Sequence, residues 1–527
     1  MVRKAVSPKA GVVLESLFYA VPADTRPGLN ATSLLVHLLL VSGAAASIAR
    51  ARLAKAAARS KSCSIDIPVV RLAGLLHDAG KPLDPTAHVP ASLDAARGLL
   101  EGLVPGFVLE AVLGLIESHH RDKPSERIAE AIDQYVGRLF ALDSNEIHTI
   151  LRCSDHMMSG MDRLEALIDI VLEGEVDAPG AREAREALER LASKLAEKMR
   201  IENPREALRG LYSGDWGARS TYNELLSSPD GAELVAEASE ALAKLLARPR
   251  RTILEKKLVE KAKWPPLSCK CKSTGEELDE LLMLTVVDIG GIQSGLSESF
   301  RIRSMAGFSL LVDFVTMAAV PYALTLYGAP LEAIVFTGGG TVHAIAPAME
   351  GSVEDSEGKI HGKIVEVLSA KPVYRLSLDG IRVRVAAAEL GSPLYAEVVR
   401  NAYARLGVKE LQPARTQSGG CGNGVRRWLE RLLAGAAKPC DSCGQRPAVV
   451  KHHDEEYCLV CAARYSVSET FGYSLSGERK GLRIQLLEEL GIERLLYPWI
   501  REGALDVLAA IAEAVEEGYS ANYAIVK

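Results

Sequence analysis

The sequence predicts a multidomain α and α+β protein, with an N-terminal all-helical domain, a helical connector, a ferredoxin-like domain and a zinc-binding helical or ribbon element. Three observations predict it. Apolar residues recur at helical spacing through the first 170 positions. After Trp264-Pro265-Pro266 the pattern changes to short apolar runs broken by glycine turns. Two CxxC pairs follow late in the chain. At about 150 residues per domain, 527 residues make three or four domains. An apolar fraction of 48% supplies several cores, and with 25% charged residues the chain is not a disordered polyelectrolyte. The net charge of −6 gives no global positive field for nucleic acid and leaves room for a local basic groove. Nine unevenly spaced cysteines exclude a disulfide scaffold. Four of them sit in two tight pairs, which points to metal and a reducing compartment; Met1 to Pro8 lack the apolar core of a signal peptide, and the expected location is cytoplasmic.

In order, helices are predicted over Leu34–Ala54, Val69–Leu76, Leu93–Leu103, Val108–Ile116 and Ile128–Leu142. Ser33 to Ala49 is apolar enough to mimic a membrane span. It is short for one, carries His37 and runs into Arg50, Arg52 and Lys55, so it is read as a core helix and no membrane partner is expected. Residues 180–260 are rich in Ala, Leu, Glu, Arg and Lys and read as further helices. Leu281 to Asp288 is a buried-strand pattern, Gly290-Gly291 a turn, Ser304 to Tyr327 a long helix, and Ala333–Phe336 and Thr341–Ala346 two strands around Gly338-Gly339-Gly340. Strand, helix, strand, turn, strand is the first half of a ferredoxin-like βαββαβ unit. Val373–Leu378 and Ile381–Ala387 read as a hairpin around Asp379-Gly380, and Ser418 to Gly424 as a boundary. A helix over Ala504–Glu517 and a strand opening at Ala521 follow. The predicted boundaries are 1–170, 171–275, 276–425, 426–505 and 506–527.

The chemistry concentrates early. His77-Asp78 stands at the end of an apolar helix, and Gly80 and Pro82 break the helix there, so imidazole and carboxylate can wrap its end. His37 lies one helix earlier, Asp155 further on, and His88, His119 and His120 between them. Seven of eleven histidines fall from His37 to His156. His37, His77, Asp78 and Asp155 are the predicted metal ligands, with His88, His119 and His120 as further candidates; His148 and His156 read as structural or surface residues. Neutral imidazoles with carboxylates suit Mn²⁺, Fe²⁺, Ni²⁺ or Zn²⁺; the expected cofactor is a divalent ion, Mn, Ni, Fe or Mg, and two such ions about 3.5–4 Å apart can clamp a phosphodiester. The bland alternative is a set of satisfied core histidines.

The order H…HD…HH…D, with His77-Asp78-Ala79-Gly80-Lys81-Pro82, resembles the HD phosphohydrolase superfamily. The resemblance implies metal-dependent phosphoester hydrolysis, with His37, His77, Asp78 and Asp155 matching the motif ligands and Lys81 touching phosphate.

Asp288 closes a strand where an acid can hold Mg²⁺ for a nucleotide, and Gly338-Gly339-Gly340 would let a nucleotide approach the backbone. A plain glycine turn is the alternative. Taken in order, VVDIGGIQSGL, RIRSMAGFSLLVDFVTMAAVPYAL and LEAIVFTGGGTVHAIAP resemble the first Palm domain of the large subunit of type III CRISPR effector complexes. That family joins an HD nuclease to two Palm domains with a zinc element between them. The resemblance makes residues 1–170 the HD domain, 171–275 the connector, 276–425 the first Palm, 426–505 the zinc element and 506–527 the start of a second Palm. It implies antiviral defence, a single-stranded DNA substrate, ATP with Mg²⁺ at the Palm, and partner subunits carrying guide RNA and target RNA. The GGDD hairpin of the second Palm is not in the sequence, so cyclic oligoadenylate synthesis by this chain alone is not expected. A separate polypeptide carrying that Palm is an expected partner.

Cys440-Asp-Ser-Cys443 and Cys458-Leu-Val-Cys461 have the spacing of a closed tetrahedral zinc site, which is structural because it leaves no open position. His452-His453 in the intervening loop read as solvated, and Cys269-Lys-Cys271 is too tight for the same knuckle. The leading expectation is a single-strand deoxyribonuclease built into a CRISPR effector subunit. A stand-alone HD phosphohydrolase on nucleotides or cyclic messengers, and a non-catalytic scaffold, are the alternatives.

Overall fold

The computed structural model describes residues 34–56, 64–81, 88–162, 165–174, 180–213, 216–226, 228–246, 269, 277–349, 351–370, 381–390, 395–411, 438–452 and 454–475. The expected strand Val373–Leu378, the glycine-rich boundary at 418–424, the helix Ala504–Glu517 and the strand from Ala521 lie outside these residues. The chain divides into two units, residues 1–282 with 390–398, and residues 283–389 with 399–527.

In the first unit, α1 (Leu34–Ala56), α2 (Asp66–Leu76), α3 (His88–Leu100), α4 (Gly106–Ser118), α5 (Glu126–Ile132) and α6 (Ser144–Asp162) form an all-helical domain. The run Ser42 to Ala46 gives α1 small side chains where α2 crosses it. Gly74 of α2 approaches so closely that a Cβ there would lie 2.7 Å from Ser42 Cα, and Ser42 Oγ donates to Arg71 O at 3.0 Å. That approach brings His37 and the end of α2 together. The predicted helix Ile128–Leu142 is shorter. It ends at Ile132, passes through a 3₁₀ turn at Asp133–Tyr135 and folds back at Gly137, whose φ is +79°. Two acids compete with the helix here. Asp133 accepts from the Ser144 amide and hydroxyl at 2.9 Å each, capping the start of α6. Buried Asp66 accepts the amides of Ala141 at 2.9 Å and Leu142 at 3.1 Å.

A second helical group follows: α7 (Glu165–Glu173), α8 (Ala181–Met199), α9 (Pro204–Ser213), α10 (Trp216–Leu226) and α11 (Pro229–Leu246). Its core is built on Leu188, Leu191, Leu195, Leu208, Leu211 and Tyr222, and Ile168 of α7 already packs into it.

The second unit holds a four-stranded sheet of β1 (Leu282–Gly290), β2 (Ile334–Gly338), β3 (Thr341–Pro347) and β4 (Arg382–Glu389) in the order β2-β3-β1-β4. β1 pairs antiparallel with β4, from Met283↔Glu389 to Gly290↔Arg382, and β2 with β3, ending at Gly338↔Thr341. Between β1 and β2 come α12 (Ile292–Ser297) and a long helix, α13 (Ile302–Phe314), which passes through a π turn at Val315–Ala319 into α14 (Val320–Tyr327). Pro321 has no N–H for the carbonyl four residues back, which accounts for the altered turn. α15 (Val353–Ser369) joins β3 towards β4. Leu311, Val315, Leu324, Ile360 and Ile364 pack on Val287, Val342, Ala344 and Val385 of the sheet. α16 (Tyr395–Leu411) follows β4, and β5 (Val450–His452), β6 (Glu455–Tyr457) and α17 (Leu459–Leu475) surround the late cysteines. Among the described residues, two segments, Leu34–Lys55 and Ile302–Tyr327, are long and apolar enough to cross a membrane, and 78% and 56% of their most apolar stretches respectively is buried inside the protein.

Candidate metal centres

The HD turn closes at the end of α2. Gly80 is required there: a Cβ would meet His88 O and Ser92 N, each at 2.4 Å, and the Gly80 amide donates to Ser92 Oγ at 2.9 Å. The turn therefore packs directly on the first residues of α3, and His88 comes over Asp78.

Four helices and this turn place the predicted residues in one cup. His37, His77, Asp78, His119 and Asp155 are all buried. His37 Nε2 lies 3.3 Å from His77 Nε2, 3.3 Å from Asp155 Oδ1 and 3.7 Å from Asp78 Oδ2. His77 Nε2 lies 3.4 Å from Asp78 Oδ2 and 3.6 Å from Asp155 Oδ1. The other Asp78 oxygen faces the second half of the cup, with Oδ1 3.0 Å from His88 Nε2 and 3.7 Å from His119 Nε2. His88 Nε2 in turn lies 3.2 Å from His120 Nε2. Possible ligand sets are thus His37, His77, Asp78; His77, His119, Asp155; and Asp78, His88, His119, His120. Asp78 belongs to sets on both sides. Lys81 Nζ reaches Asp78 Oδ2 at 2.5 Å from the rim. His148, read as structural, is buried with Nε2 2.9 Å from Ser118 O.

Backbone carbonyls orient two of the rings. His77 Nδ1 donates to Gly74 O at 2.8 Å and His119 Nδ1 to Ile116 O at 2.7 Å, because a carbonyl can only accept. When neutral, both rings turn an Nε2 lone pair into the cup. Asp78 Oδ1 and His119 Nε2 are buried and make no well-directed hydrogen bond, although imidazole nitrogens lie 3.0 and 3.7 Å from that oxygen. Such atoms are costly inside a protein unless they are ligated, so the residues fit divalent cations. Burial would raise Asp78 and Asp155, yet Lys81 and His77 hold Asp78, and His37 and His77 hold Asp155, well below the usual carboxylate range. Burial lowers His37. Burial opposes the charged form of His77 too, but Asp78 and Asp155 outweigh it and push its pKa up to about 10. Burial beside His119 depresses His120 to about 3.

In the second unit Cys440, Cys443, Cys458 and Cys461 are buried and meet within 4.8 Å. Sulfurs bound to one zinc at about 2.3 Å lie about 3.8 Å apart, and Cys443 Sγ and Cys458 Sγ are 3.9 Å apart. Backbone amides support them: Ser442 N donates to Cys440 Sγ and Cys461 N to Cys458 Sγ, both at 3.4 Å. Hydrogen bonds from Cys458 and Cys461 lower the Cys440 thiol, and the same contact pushes Cys458 up to about 11. These donors fit a zinc ion. The knuckle is seated on the approach to α13, where Ser442 Oγ is 2.7 Å from Ser299 Oγ and Phe300 N donates to Ser442 O at 2.7 Å. His453 and the His452 side chain lie outside the described residues, as do Cys271, Cys63 and Cys421.

Asp288 is engaged. Its register partner Arg384 donates from Nε to Oδ2 at 3.0 Å and forms an ion pair with it, and Thr341 Oγ1 donates to Oδ1 at 3.4 Å. Gly339 and Gly340 have φ of +58° and +87°, as the central residues of a two-residue hairpin require. A nucleotide and Mg²⁺ at Asp288 would have to displace Arg384.

Sequence reasoning passed over Gly74, Ser92, Asp66 and Arg152. The Gly-Lys-Pro break flagged the HD turn, but nothing local announced the helix it packs on.

Residues 34–157 match the family model of the HD domain. No curated protein matches the chain. Among solved structures, it is similar to the apo Csm1-Csm4 cassette at 16% identity and a TM-score of 0.34, over 72% of this chain and 52% of that one. The cassette in complex with AMPPNP shows 17% identity, a TM-score of 0.36, and coverage of 66% and 49%. The Csm1-Csm4 subcomplex of the type III-A CRISPR-Csm interference complex shows 16% identity, a TM-score of 0.32, and the same coverage. The chain spans about half the length of the chains it matches. The HD match lies on the residues that carry the resemblance to the HD phosphohydrolase superfamily.

Proposed function

We propose that this chain is a relative of the large subunit of type III CRISPR effector complexes, and that its HD domain is a metal-dependent phosphodiesterase acting on single-stranded DNA. One observation carries the hydrolase reading: Asp78 is buried with one oxygen turned to His37 and His77 and the other to His88 and His119, and neither Oδ1 nor His119 Nε2 makes a well-directed hydrogen bond. His37, His77, Asp78 and Asp155 would hold one cation, and Asp78, His88, His119 and His120 a second. Bound divalent cations would polarise the phosphoryl group and acidify an attacking water. The carbonyls of Gly74 and Ile116 keep the His77 and His119 rings aimed. The depressed pKa of His120 keeps it an uncharged ligand at neutral pH. Lys81, partly exposed on the turn, would meet an arriving phosphate and release Asp78.

Single-stranded DNA, guide and target RNA, companion subunits, a separate second-Palm polypeptide and a cytoplasmic location come from the resemblance. On the same reading the four-stranded sheet is the first Palm, and the four-cysteine element is its zinc knuckle, serving assembly.

The double variant His77→Ala/Asp78→Ala, assayed on single-stranded DNA with Mn²⁺, tests this. Cleavage and bound manganese should both fall, beyond the roughly 10- to 100-fold that losing an outer-shell partner costs, while zinc stays at about one per chain. Unchanged cleavage removes catalysis from this centre. Faster turnover of a mononucleotide than of DNA favours a stand-alone phosphohydrolase. A wild-type protein holding zinc alone favours the scaffold.

A further inference from the structure

We infer that Arg152 is a positioning residue for a substrate phosphate beside the HD centre, held in reserve by Asp122; this rests on the hydrolase reading above. Contacts along α6 carry the placement. His148 Nε2 lies 2.9 Å from Ser118 O, and one helical turn on, Arg152 Nη2 donates to Asp122 Oδ1 at 2.7 Å. The two contacts bracket His119 and His120. Asp155, the next turn along α6, reaches the cup itself. Arg152 therefore stands on the α6 face that carries Asp155, one turn before that predicted ligand, and its guanidinium reaches the loop that follows His119 and His120.

Its bonding is incomplete. Arg152 Nε is buried and has no hydrogen-bond partner, so the guanidinium fork, which suits two oxygens of one anion, uses one donor on one carboxylate. That carboxylate is a weak hold: the Asp122 side chain is 82% exposed, and Arg152 is 24% exposed. Exposed Arg121 and Lys123 flank Asp122 on the same loop, so the approach is cationic with one acid inside it. A phosphate arriving next to the scissile one can exchange with Asp122 and satisfy Nε. The ligand is a polynucleotide with at least one phosphate beyond the reacting one, rather than a mononucleotide.

The test is equilibrium binding of a fluorescein-labelled single-stranded oligonucleotide, read by anisotropy on the full chain, with bound metal measured in parallel. Arg152→Ala should raise Kd roughly tenfold, the loss of one charge-assisted contact, and Arg152→Lys should recover part of it. Asp122→Asn should lower Kd two- to threefold, because the guanidinium is released. Metal content should not change in any of the three. An unchanged Kd in Arg152→Ala overturns the inference. So does Asp122→Asn weakening binding as much as Arg152→Ala, which marks the pair as a structural brace. Cleavage is scored separately: an inactive wild type sinks the hydrolase reading and leaves these Kd differences readable.

Discussion

His77 is where proton and metal compete. Asp78 and Asp155 outweigh burial and push its pKa up to about 10 from 6.5 for the free side chain. A raised folded-state pKa stabilises the fold fully below pH 6.5, and that stabilisation fades as the pH climbs through 10. A bound cation needs the neutral ring. Adding Mn²⁺ at pH 8 should therefore expel close to one proton from His77, and apparent affinity should rise up to about tenfold per pH unit between 6.5 and 10. Calorimetry in two buffers of different ionisation enthalpy counts that proton. Identical heats in both buffers would show that His77 is already neutral and that the carboxylates are balanced by Lys81 alone.

At the scale of elements, the cup depends on how closely α1 and α2 approach. Gly74→Ala places a methyl against Ser42 backbone, 2.7 Å from its Cα, which no side-chain rotation relieves. The helices must part, and His37 and His77 with them. Melting should register about 1–3 kcal/mol of lost stability, together with loss of bound manganese. Gly98→Ala is the control: nothing lies within 4 Å of its Cβ, on α3, and helix propensity predicts up to about 1 kcal/mol of gain. Metal retention in Gly74→Ala would show that the cup tolerates a wider crossing. The same distinction explains what was legible beforehand. Apolar patterning found α1, which is buried along an unbroken run from Leu40 to Ala49, and α2 and α4, whose apolar residues recur at helical spacing. It overran α5 because Asp66, far off in sequence, takes the amides of Ala141 and Leu142, and no local window contains that partner. The ligand types were readable from the HD turn. Which oxygen of Asp78 faces which ring was not, because it depends on Gly80 packing against His88 and Ser92.

At the scale of the molecule, the two candidate metal centres fall in separate units with separate cores. The candidate HD ligands belong to residues 1–282, the cysteines to residues 399–527, and the apolar cluster under the sheet draws its residues from the second unit alone. Within that unit the knuckle is bound to its neighbours by shape as well as by polar contacts. Gly307 of α13 sits so near α17 that a Cβ would lie 1.7 Å from Arg464 O. Fully buried Arg464 donates to Gly295 O at 3.0 Å and stacks 4.3 Å over Phe308. Removing zinc should therefore loosen α17 and the start of α13 while leaving the histidine cup intact. Differential scanning calorimetry of the full chain should resolve two transitions. Mn²⁺ should raise one, by mass action on the folded cup; the Cys458→Ser variant should lower the other by several degrees and retain its manganese. If both perturbations move a single transition, the two units fold as one, and the zinc element supports the histidine cup as well as the sheet.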